Sequence, residues 1–289
     1  MNQLTDWAIE SDSGTCHGYR ITGWLADQHT GLQRLRIAQT AQHGRALLLD
    51  DHFMCVEADE FLYHESLVHP AGCLHPDPRR ALVIGGGDGG SVRELCRYPT
   101  ISHIDLVEID GGVLSASARF MPAVHQGVLA GCDSRVHIHT MDGQAFVAKN
   151  TGPWDLIILD LTDPDPHSQP LYTAGWFQQC AARLTQEGKL TMQVGSAFDQ
   201  WVHVREVFES LRTAFDEVAA YLAPIRHAGG WWVNACASKR RGDTSIASSE
   251  LERRVNRLGA LRLYTAAIHK SMFTLPPFVL DKLGGRSKR

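Results

Sequence analysis

A glycine-rich loop followed by an acid is the first pattern in this sequence that could do chemistry. Residues 85–90 read Gly-Gly-Gly-Asp-Gly-Gly and close a short apolar stretch. Glycines such as Gly85 and Gly87 let the backbone turn tightly, and they let a ligand approach the amides at the start of the next helix. Glu108 lies roughly 20 residues past the loop, where an acid would accept hydrogen bonds from two ribose hydroxyls. Together these features favour a nucleoside pocket over a structural turn with a solvated acid.

Acids also close the next apolar runs of the chain. Asp142 could accept a hydrogen bond from the exocyclic amine of adenine, and Gly143 would leave room for the ring, although an Asp-Gly pair is equally typical of an ordinary turn. Asp160 and Asp163 end another apolar run beside a proline. We expect Asp88 and Asp160 to converge, because both follow strands that end at the same edge of a sheet. Two acids without basic neighbours indicate a cationic substrate.

Strands and helices must alternate to position these residues. Five apolar runs are separated by helical stretches, namely 80–84, 104–110, 136–139, 156–160 and 189–194. This alternation predicts an α/β fold with a doubly wound, Rossmann-like, mostly parallel sheet. Shorter alternating segments between residues 14 and 56 predict a small antiparallel β unit, and a helix is expected over 59–68, ending at His69-Pro70. The predicted domains are 1–75 and 76–289.

Composition excludes several classes of protein. The 289 residues are 44% hydrophobic and 21% charged, which excludes a disordered chain or a disulfide-stapled mini-protein. The net charge of -4 argues against nucleic acid or a membrane surface as a partner. Seven scattered cysteines without a C-x-x-C pair indicate reduced thiols. With no apolar leader and no membrane-spanning run, the sequence predicts a cytoplasmic protein.

Several ordered motifs together resemble the polyamine aminopropyltransferases, the spermidine synthase family. The resemblance covers almost the whole chain and rests on residues 44–50, 57–65, 85–90, 107–110, 142–143 and 160–164. It implies a small amino-terminal β domain, a methyltransferase-like Rossmann domain and a homodimer. It also implies decarboxylated S-adenosylmethionine as the aminopropyl donor and methylthioadenosine as the leaving product.

The same resemblance implies roles for individual residues. Four would hold the nucleoside: Gln33, Glu108, Asp142 and Gly143. Asp88 would bind the amine of the donor's aminopropyl group. Four would hold the acceptor amine: Tyr63, His64, Asp160 and Asp163. Asp160 would also be the proton acceptor.

These residue types suit the implied chemistry. A polyamine nitrogen is protonated at neutral pH and cannot attack carbon, so an anion such as Asp160 must take or relay its proton. The sulfonium already activates the carbon, so the protein has only to align the reacting atoms, and no metal is required. Asp88 would repel the carboxylate of ordinary S-adenosylmethionine, which selects the decarboxylated donor.

Two segments depart from the family pattern. After Pro164 the chain has Asp165 and His167 where relatives usually have a small apolar residue, Gly and Pro. Arg226 stands where an aromatic residue is expected to line the acceptor channel. We expect putrescine as the acceptor, with spermidine and agmatine as alternatives.

Two other functions remain open at this point. A methyltransferase that uses ordinary S-adenosylmethionine would share the fold and the glycine loop, and a non-catalytic polyamine or nucleoside binding protein would share the pocket. The relative affinity for carboxylated and decarboxylated donors distinguishes the first, and turnover with an amine distinguishes the second.

Overall fold

The computed structural model describes residues 6–11, 15–150, 152–242 and 244–284, which contain two β-sheets. The first sheet has five antiparallel strands in sequence order: β1 (Trp7–Ser11), β2 (Cys16–His29), β3 (Arg34–Thr40), β4 (Arg45–Leu49) and β5 (His52–Val56). Leu35 and Ile37 of β3 are fully buried, whereas Arg34 is exposed. This alternation places one face of the sheet on a core. The small amino-terminal antiparallel unit is therefore confirmed.

The helix after this sheet, α1 (Glu60–Leu74), is longer than predicted. It continues through Pro70 instead of ending there, although proline lacks the amide hydrogen that would bond to the carbonyl of Ser66. The Tyr221 hydroxyl donates to that carbonyl oxygen at 2.9 Å and so replaces the missing bond. The predicted helix end was wrong because this replacement donor is distant in the sequence.

The second sheet is mostly parallel. Its seven strands are β6 (Arg80–Gly85), β7 (His103–Glu108), β8 (Val136–Thr140), β9 (Trp154–Asp160), β10 (Leu184–Ser196), β11 (Glu217–Ile225) and β12 (Gly230–Ser238). They lie in the order β11-β12-β10-β9-β6-β7-β8, and only the contacts of β12 with β10 and β11 are antiparallel. The α/β, Rossmann-like fold is confirmed, with an antiparallel pair added at one edge.

Helices cover both faces of this sheet. Besides α1 they are α2 (Gly90–Cys96), α3 (Gly111–Phe120), α4 (Pro122–His125), α5 (Gly143–Lys149), α6 (Ala174–Arg183), α7 (Trp201–Arg212), α8 (Ser248–Asn256), α9 (Ala266–Met272) and α10 (Pro277–Lys282). Leu82 and Ile84 of β6 belong to one core with Trp176 of α6, whereas Val83 belongs to another core with Leu67 of α1. Alternate side chains of one strand thus enter two cores, as expected for a doubly wound sheet.

The strand order creates a crevice between β6 and β9. From β6 the chain continues to β7 on one side, and from β9 it continues to β10 on the other. Ligands of open α/β sheets bind beyond the carboxyl ends of the strands at such a reversal. Gly85 at the end of β6 is paired in register with Asp160 at the end of β9, so these two strand ends lie side by side.

The predicted boundary between residues 75 and 76 falls in the connection from α1 to β6 and stays a prediction. Residues 1–5 and 285–289 of the predicted domains lie outside the described residues. Within the described part of the chain, no helix combines the length and the apolar character that crossing a membrane requires.

Candidate active site

The glycine loop packs directly against the end of β9. The Gly86 amide donates to the Asp160 carbonyl oxygen at 2.9 Å. Gly86 has a φ of 68°, which favours glycine, and a Cβ there would lie 2.7 Å from Oδ2 of Asp160. A Cβ on Gly87 would lie 2.9 Å from Oε2 of Glu108. The loop therefore has room for the two acids because Gly86 and Gly87 lack side chains.

Glu108 at the end of β7 is held by two backbone amides. Gly87 donates to its Oε2 at 3.2 Å, and the amide of Asp110 donates to its Oε1 at 2.9 Å. Burial raises the pKa of Glu108 to about 7, and the charges of Asp110 and Asp160 act in the same direction. Two donating hydroxyls, such as those of a ribose, would favour the ionised carboxylate.

Gln33 reaches this strand end from the amino-terminal sheet. Its Nε2 donates to Oδ2 of Asp110 at 2.9 Å, and the hydroxyl of Thr30 donates to the same oxygen at 2.6 Å. Asp110 in turn caps α3 by accepting from the amide of Gly112 at 2.8 Å. The turn between β2 and β3 is therefore anchored to Asp110 near Glu108. The contact of Gln33 with a nucleoside stays a prediction.

Asp142 and Gly143 lie at the start of α5. Oδ1 of the exposed Asp142 accepts from the amide of Ala145 at 2.7 Å and caps the helix. A Cβ on the buried Gly143 would lie 2.7 Å from Cγ2 of Ile84, so the end of β6 requires glycine there. The structure shows the capping role of Asp142, and its contact with adenine stays a prediction.

Asp88 lies in the glycine loop, between the amide of Gly90 and the side chain of His64. Its Oδ1 accepts from the amide of Gly90 at 2.7 Å and forms an ion pair with Nε2 of His64 at 3.3 Å, outside the alignment of a hydrogen bond. Burial alone would raise the pKa of Asp88, but His64 and the Gly90 amide lower it to about 2. His64 is 1% exposed, and its Nδ1 lies 2.7 Å from Oε2 of Glu60. A charged carboxylate thus faces the crevice at neutral pH.

Asp160 accepts two hydroxyl hydrogen bonds. Tyr63 of α1 donates to its Oδ1 at 2.6 Å, and Ser91 of α2 donates to its Oδ2 at 2.7 Å. Burial and then the charge of Asp88 raise the pKa of Asp160 above its ordinary value, against the opposing effects of His64, Tyr63 and Ser91. A carboxylate with a raised pKa is a better proton acceptor than an exposed one.

The structure brings His64, Asp88 and Asp160 together, with one ligand atom of each within 4.8 Å of the others. This spacing would also allow a metal ion. However, His64 faces a carboxylate with each ring nitrogen, which favours the protonated ring, and a protonated nitrogen cannot bind a metal. The cluster fits a bound cation of the ammonium type better than a metal ion.

Asp163 lies apart from this cluster on the exposed loop after β9. Gln200 donates to its Oδ2 at 2.7 Å, and Gln193 donates to its Oδ1 at 3.3 Å. On the same loop, Oδ1 of Asp165 accepts from the amides of His167 at 2.7 Å and Ser168 at 2.8 Å. Asp165 therefore closes the loop, and two glutamines orient Asp163 at the rim.

Arg226 lies in the turn between β11 and β12. Its side chain is 53% exposed, stands over the ring of Tyr19 and has NH1 3.7 Å from Oδ2 of Asp59. His227 beside it is buried, and its Nδ1 lies 3.0 Å from Oδ1 of Asp59. Asp59 thus partly balances the charge of Arg226.

Sequence reasoning missed three residues at this site. Ser91 contacts Asp160, and Glu60 and Arg93 lie behind His64. Ser91 directly follows the glycine loop, and this position in the sequence indicates a residue close to the site. The pairing of Glu60 with Arg93 joins two helices and has no signal in the sequence.

The comparisons with known proteins agree on one family. The spermine/spermidine synthase domain matches residues 60–247. The polyamine aminopropyltransferase of Nitrosomonas europaea is 37% identical over 277 residues, which cover 95% of this chain and 85% of the relative. Polyamine aminopropyltransferase 1 of Pseudomonas aeruginosa is 35% identical, and the match covers 97% of this chain and 98% of the relative.

Solved structures give the same result. A spermidine synthase in complex with the transition-state analogue AdoDATO matches with a TM-score of 0.90 at 27% identity, over 96% of this chain and 94% of that one. The spermidine synthase of Thermotoga maritima matches with a TM-score of 0.88 at 28% identity, with the same coverage. The chain therefore belongs to the spermine/spermidine synthase family of aminopropyltransferases.

Proposed function

We propose that the protein transfers the aminopropyl group of decarboxylated S-adenosylmethionine to putrescine and releases methylthioadenosine. The observation that carries this proposal is the approach of Asp88 and Asp160 within 4.8 Å at the reversal of the sheet. Two carboxylates there suit two ammonium groups, one on each substrate. The spermidine synthase bound to AdoDATO supports the choice of donor.

The nucleoside of the donor would lie along the ends of β6, β7 and β8. Glu108 would accept from the ribose hydroxyls, with Gln33 beside it, and the turn at Asp142 and Gly143 would hold the adenine. The glycine loop, through Gly85 and Gly87, would let the ribose approach the backbone. The position of Glu108 at the end of β7, next to the Gly87 amide of the glycine loop, supports this role. Donating hydroxyls would lower its raised pKa and stabilise the charged form.

The acceptor amine would lie between Asp160 and the rim residue Asp163. Asp160 takes a proton from the acceptor ammonium, and the freed electron pair attacks the carbon next to the sulfonium. A carbon–nitrogen bond forms while the carbon–sulfur bond breaks, and its electron pair stays on sulfur, which becomes the thioether of methylthioadenosine. Tyr63 orients Asp160 through its 2.6 Å hydrogen bond.

Asp88 would bind the amine of the donor and exclude ordinary S-adenosylmethionine. Its lowered pKa keeps the carboxylate charged at neutral pH, so a second carboxylate on the ligand would be repelled. Equilibrium binding should therefore favour the decarboxylated donor. Tighter binding of the carboxylated form, with methyl transfer, would instead support a methyltransferase.

Putrescine is the proposed acceptor, ahead of spermidine and agmatine. Arg226 stands where the family has an aromatic residue of the acceptor channel, and a cation at that position would disfavour a long polycation; its side chain contacts Asp59 and Tyr19. The decisive experiment incubates the enzyme with decarboxylated donor and each amine separately, and identifies products by mass. Spermidine formed from putrescine supports the proposal. Binding of methylthioadenosine without turnover of any amine would overturn it and favour a binding protein.

We also propose a homodimer in the cytoplasm. Exposed apolar side chains at Phe198, Val202 and Phe278 support self-association, and seven free cysteines suit a reducing compartment. Sedimentation at micromolar concentration tests the dimer, and a monomer would contradict it. Fractionation of cells tests the compartment.

A further inference from the structure

A row of four buried charged groups extends from the glycine loop into the space between α1 and α2. Asp88 faces Nε2 of His64 at 3.3 Å, and Nδ1 of His64 faces Oε2 of Glu60 at 2.7 Å. Arg93 closes the row with bonds of 3.0 and 2.9 Å to the two oxygens of Glu60. All four residues are at most 8% exposed, so solvent screens these charges little.

The geometry indicates that His64 carries protons on both ring nitrogens. If only Nδ1 were protonated, the lone pair of Nε2 would face the Asp88 carboxylate at 3.3 Å, and if only Nε2 were protonated, Nδ1 would face Glu60. Both arrangements are repulsive, whereas the imidazolium donates to Glu60 and attracts Asp88. Burial would lower the pKa of His64, but Asp88 and Glu60 raise it well above its ordinary value.

Arg93 keeps Glu60 ionised and immobile. Besides its two bonds to Glu60, Arg93 donates from NH1 to the carbonyl of Val124 at 2.6 Å and from Nε to Glu94 at 2.7 Å. Burial would raise the pKa of Glu60, but His64 and Arg93 lower it. A bidentate guanidinium fixes the plane of the carboxylate as well as its charge.

We propose that Glu60, held by Arg93, is a positioning residue that acts through His64 to fix the Asp88 carboxylate for the donor's ammonium. The inference rests on the proposed function, because it assigns Asp88 to that ammonium. His64 contacts Asp88 at Oδ1, where the Gly90 amide also binds, so the orientation of the carboxylate is set from two directions. Besides Arg93, the titratable side chains of Cys55, Tyr63, His125 and Asp160 also lie near His64 or Asp88.

The test compares Glu60→Gln with the matched control Glu94→Gln. Glu94 is equally buried and also bonds to Arg93, but it contacts His69 and Arg97 instead of His64. Calorimetry measures binding of the decarboxylated donor and of methylthioadenosine, which lacks the aminopropyl amine. We expect Glu60→Gln to weaken binding of the decarboxylated donor about tenfold, the effect of losing one hydrogen bond to a charged group. The affinity for methylthioadenosine should be unchanged. Because glutamine at position 94 keeps a carbonyl oxygen that can accept from Nε of Arg93, Glu94→Gln should leave the ratio of the two affinities at its wild-type value.

Equal weakening of both ligands by Glu60→Gln, or wild-type affinity for both, would overturn the inference, since a purely structural role predicts one or the other. A second readout needs only the folded wild-type protein without substrates. Nitrogen-15 spectra should show His64 protonated on both nitrogens at pH 7.5, and a neutral ring there would also overturn the inference. If the wild-type protein bound the donor no more tightly than methylthioadenosine, the proposed function would fail, while the spectra would still report the state of His64.

Discussion

Removing the hydroxyl of Ser91 should move the pH dependence of the reaction. Ser91 is completely buried, and its hydroxyl donates to Oδ2 of Asp160 at 2.7 Å, which stabilises the charged form of the proposed base. A hydrogen bond to a charged group contributes about 1.5–3 kcal/mol, and one pKa unit corresponds to about 1.4 kcal/mol. Ser91→Ala removes up to about this much stabilisation of the carboxylate and should therefore raise the pKa of Asp160 further above its ordinary value.

The direction of the change in activity follows from the role of the base. Asp160 must be ionised to accept a proton, so a higher pKa moves the acid side of the pH profile of kcat/KM to higher pH. The hydrogen bond from Tyr63 to Oδ1 remains, so activity at high pH should largely persist. The assay follows release of methylthioadenosine between pH 5 and 10 at saturating donor.

Ser117→Ala is the matched control for this prediction. Ser117 is also completely buried in a helix, but its hydroxyl has no hydrogen-bond partner among the described residues. This variant should keep the wild-type profile. A profile of Ser91→Ala that matches the wild type, or that moves to lower pH, would refute the role given to the Ser91 hydroxyl and to Asp160.

Three further predictions concern the loop, the buried charges and the helix through proline. Gly86→Ala should lower kcat/KM more than tenfold, because its φ of 68° and the contact with the proposed base oppose a Cβ; Gly131→Ala, with a φ of 77° and open space, should keep activity in the same assay. His69, Arg93 and Arg97 lower the pKa of Glu94 to about 2 against the effect of burial. The charged carboxylate therefore stabilises the folded protein above the unfolded-state pKa of about 4.3, and this stabilisation is lost as pH falls towards 2. Glu94→Gln should reduce the free energy of unfolding in urea by about 3 kcal/mol at pH 7, and a difference that stayed constant down to pH 2 would contradict this. Tyr221→Phe should cost about 1–3 kcal/mol because the Ser66 carbonyl loses its donor, and an unchanged urea midpoint would show that the bond is not needed.

The sequence pattern predicted the parts of the site that follow from strand ends. Gly85, Glu108 and Asp160 each close an apolar run, and the rule that parallel strands end at one edge of a sheet was enough to bring them together. The family resemblance added Gln33, which reaches the site from the other sheet through Asp110. Periodicity could not supply that contact.

The features that were missed depend on partners far apart in the sequence. The bond from Tyr221 to Ser66 lets α1 pass through Pro70, and it links residues 155 positions apart. The pairing of Glu60 with Arg93 arises because α1 packs on α2, and the identity of the two residues does not reveal it. Local patterns predict such elements but not the side chains that meet between them.

The loop after β9 contains Asp165, a residue whose contacts could not be predicted from the sequence. Asp165 departs from the family pattern, and its residue type is compatible both with a solvated acid and with an extra anchor for a longer amine. In the structure it accepts from two amides of its own loop and from the Thr162 hydroxyl at 3.0 Å. The sequence does not specify this turn conformation, and so the loop-closing contacts of Asp165 could not be predicted.

One comparison tests most directly whether Asp160 accepts the proton during aminopropyl transfer. Asp160→Asn and Asp155→Asn make the same change on β9, but Asp155 lies at the opposite end of the strand, where its Oδ2 accepts from the Arg79 amide at 2.8 Å. Release of methylthioadenosine from decarboxylated donor and putrescine is measured for both. We predict a loss of at least about a hundredfold, the usual contribution of general base catalysis, for Asp160→Asn and near wild-type activity for Asp155→Asn. Wild-type release by Asp160→Asn would contradict the account.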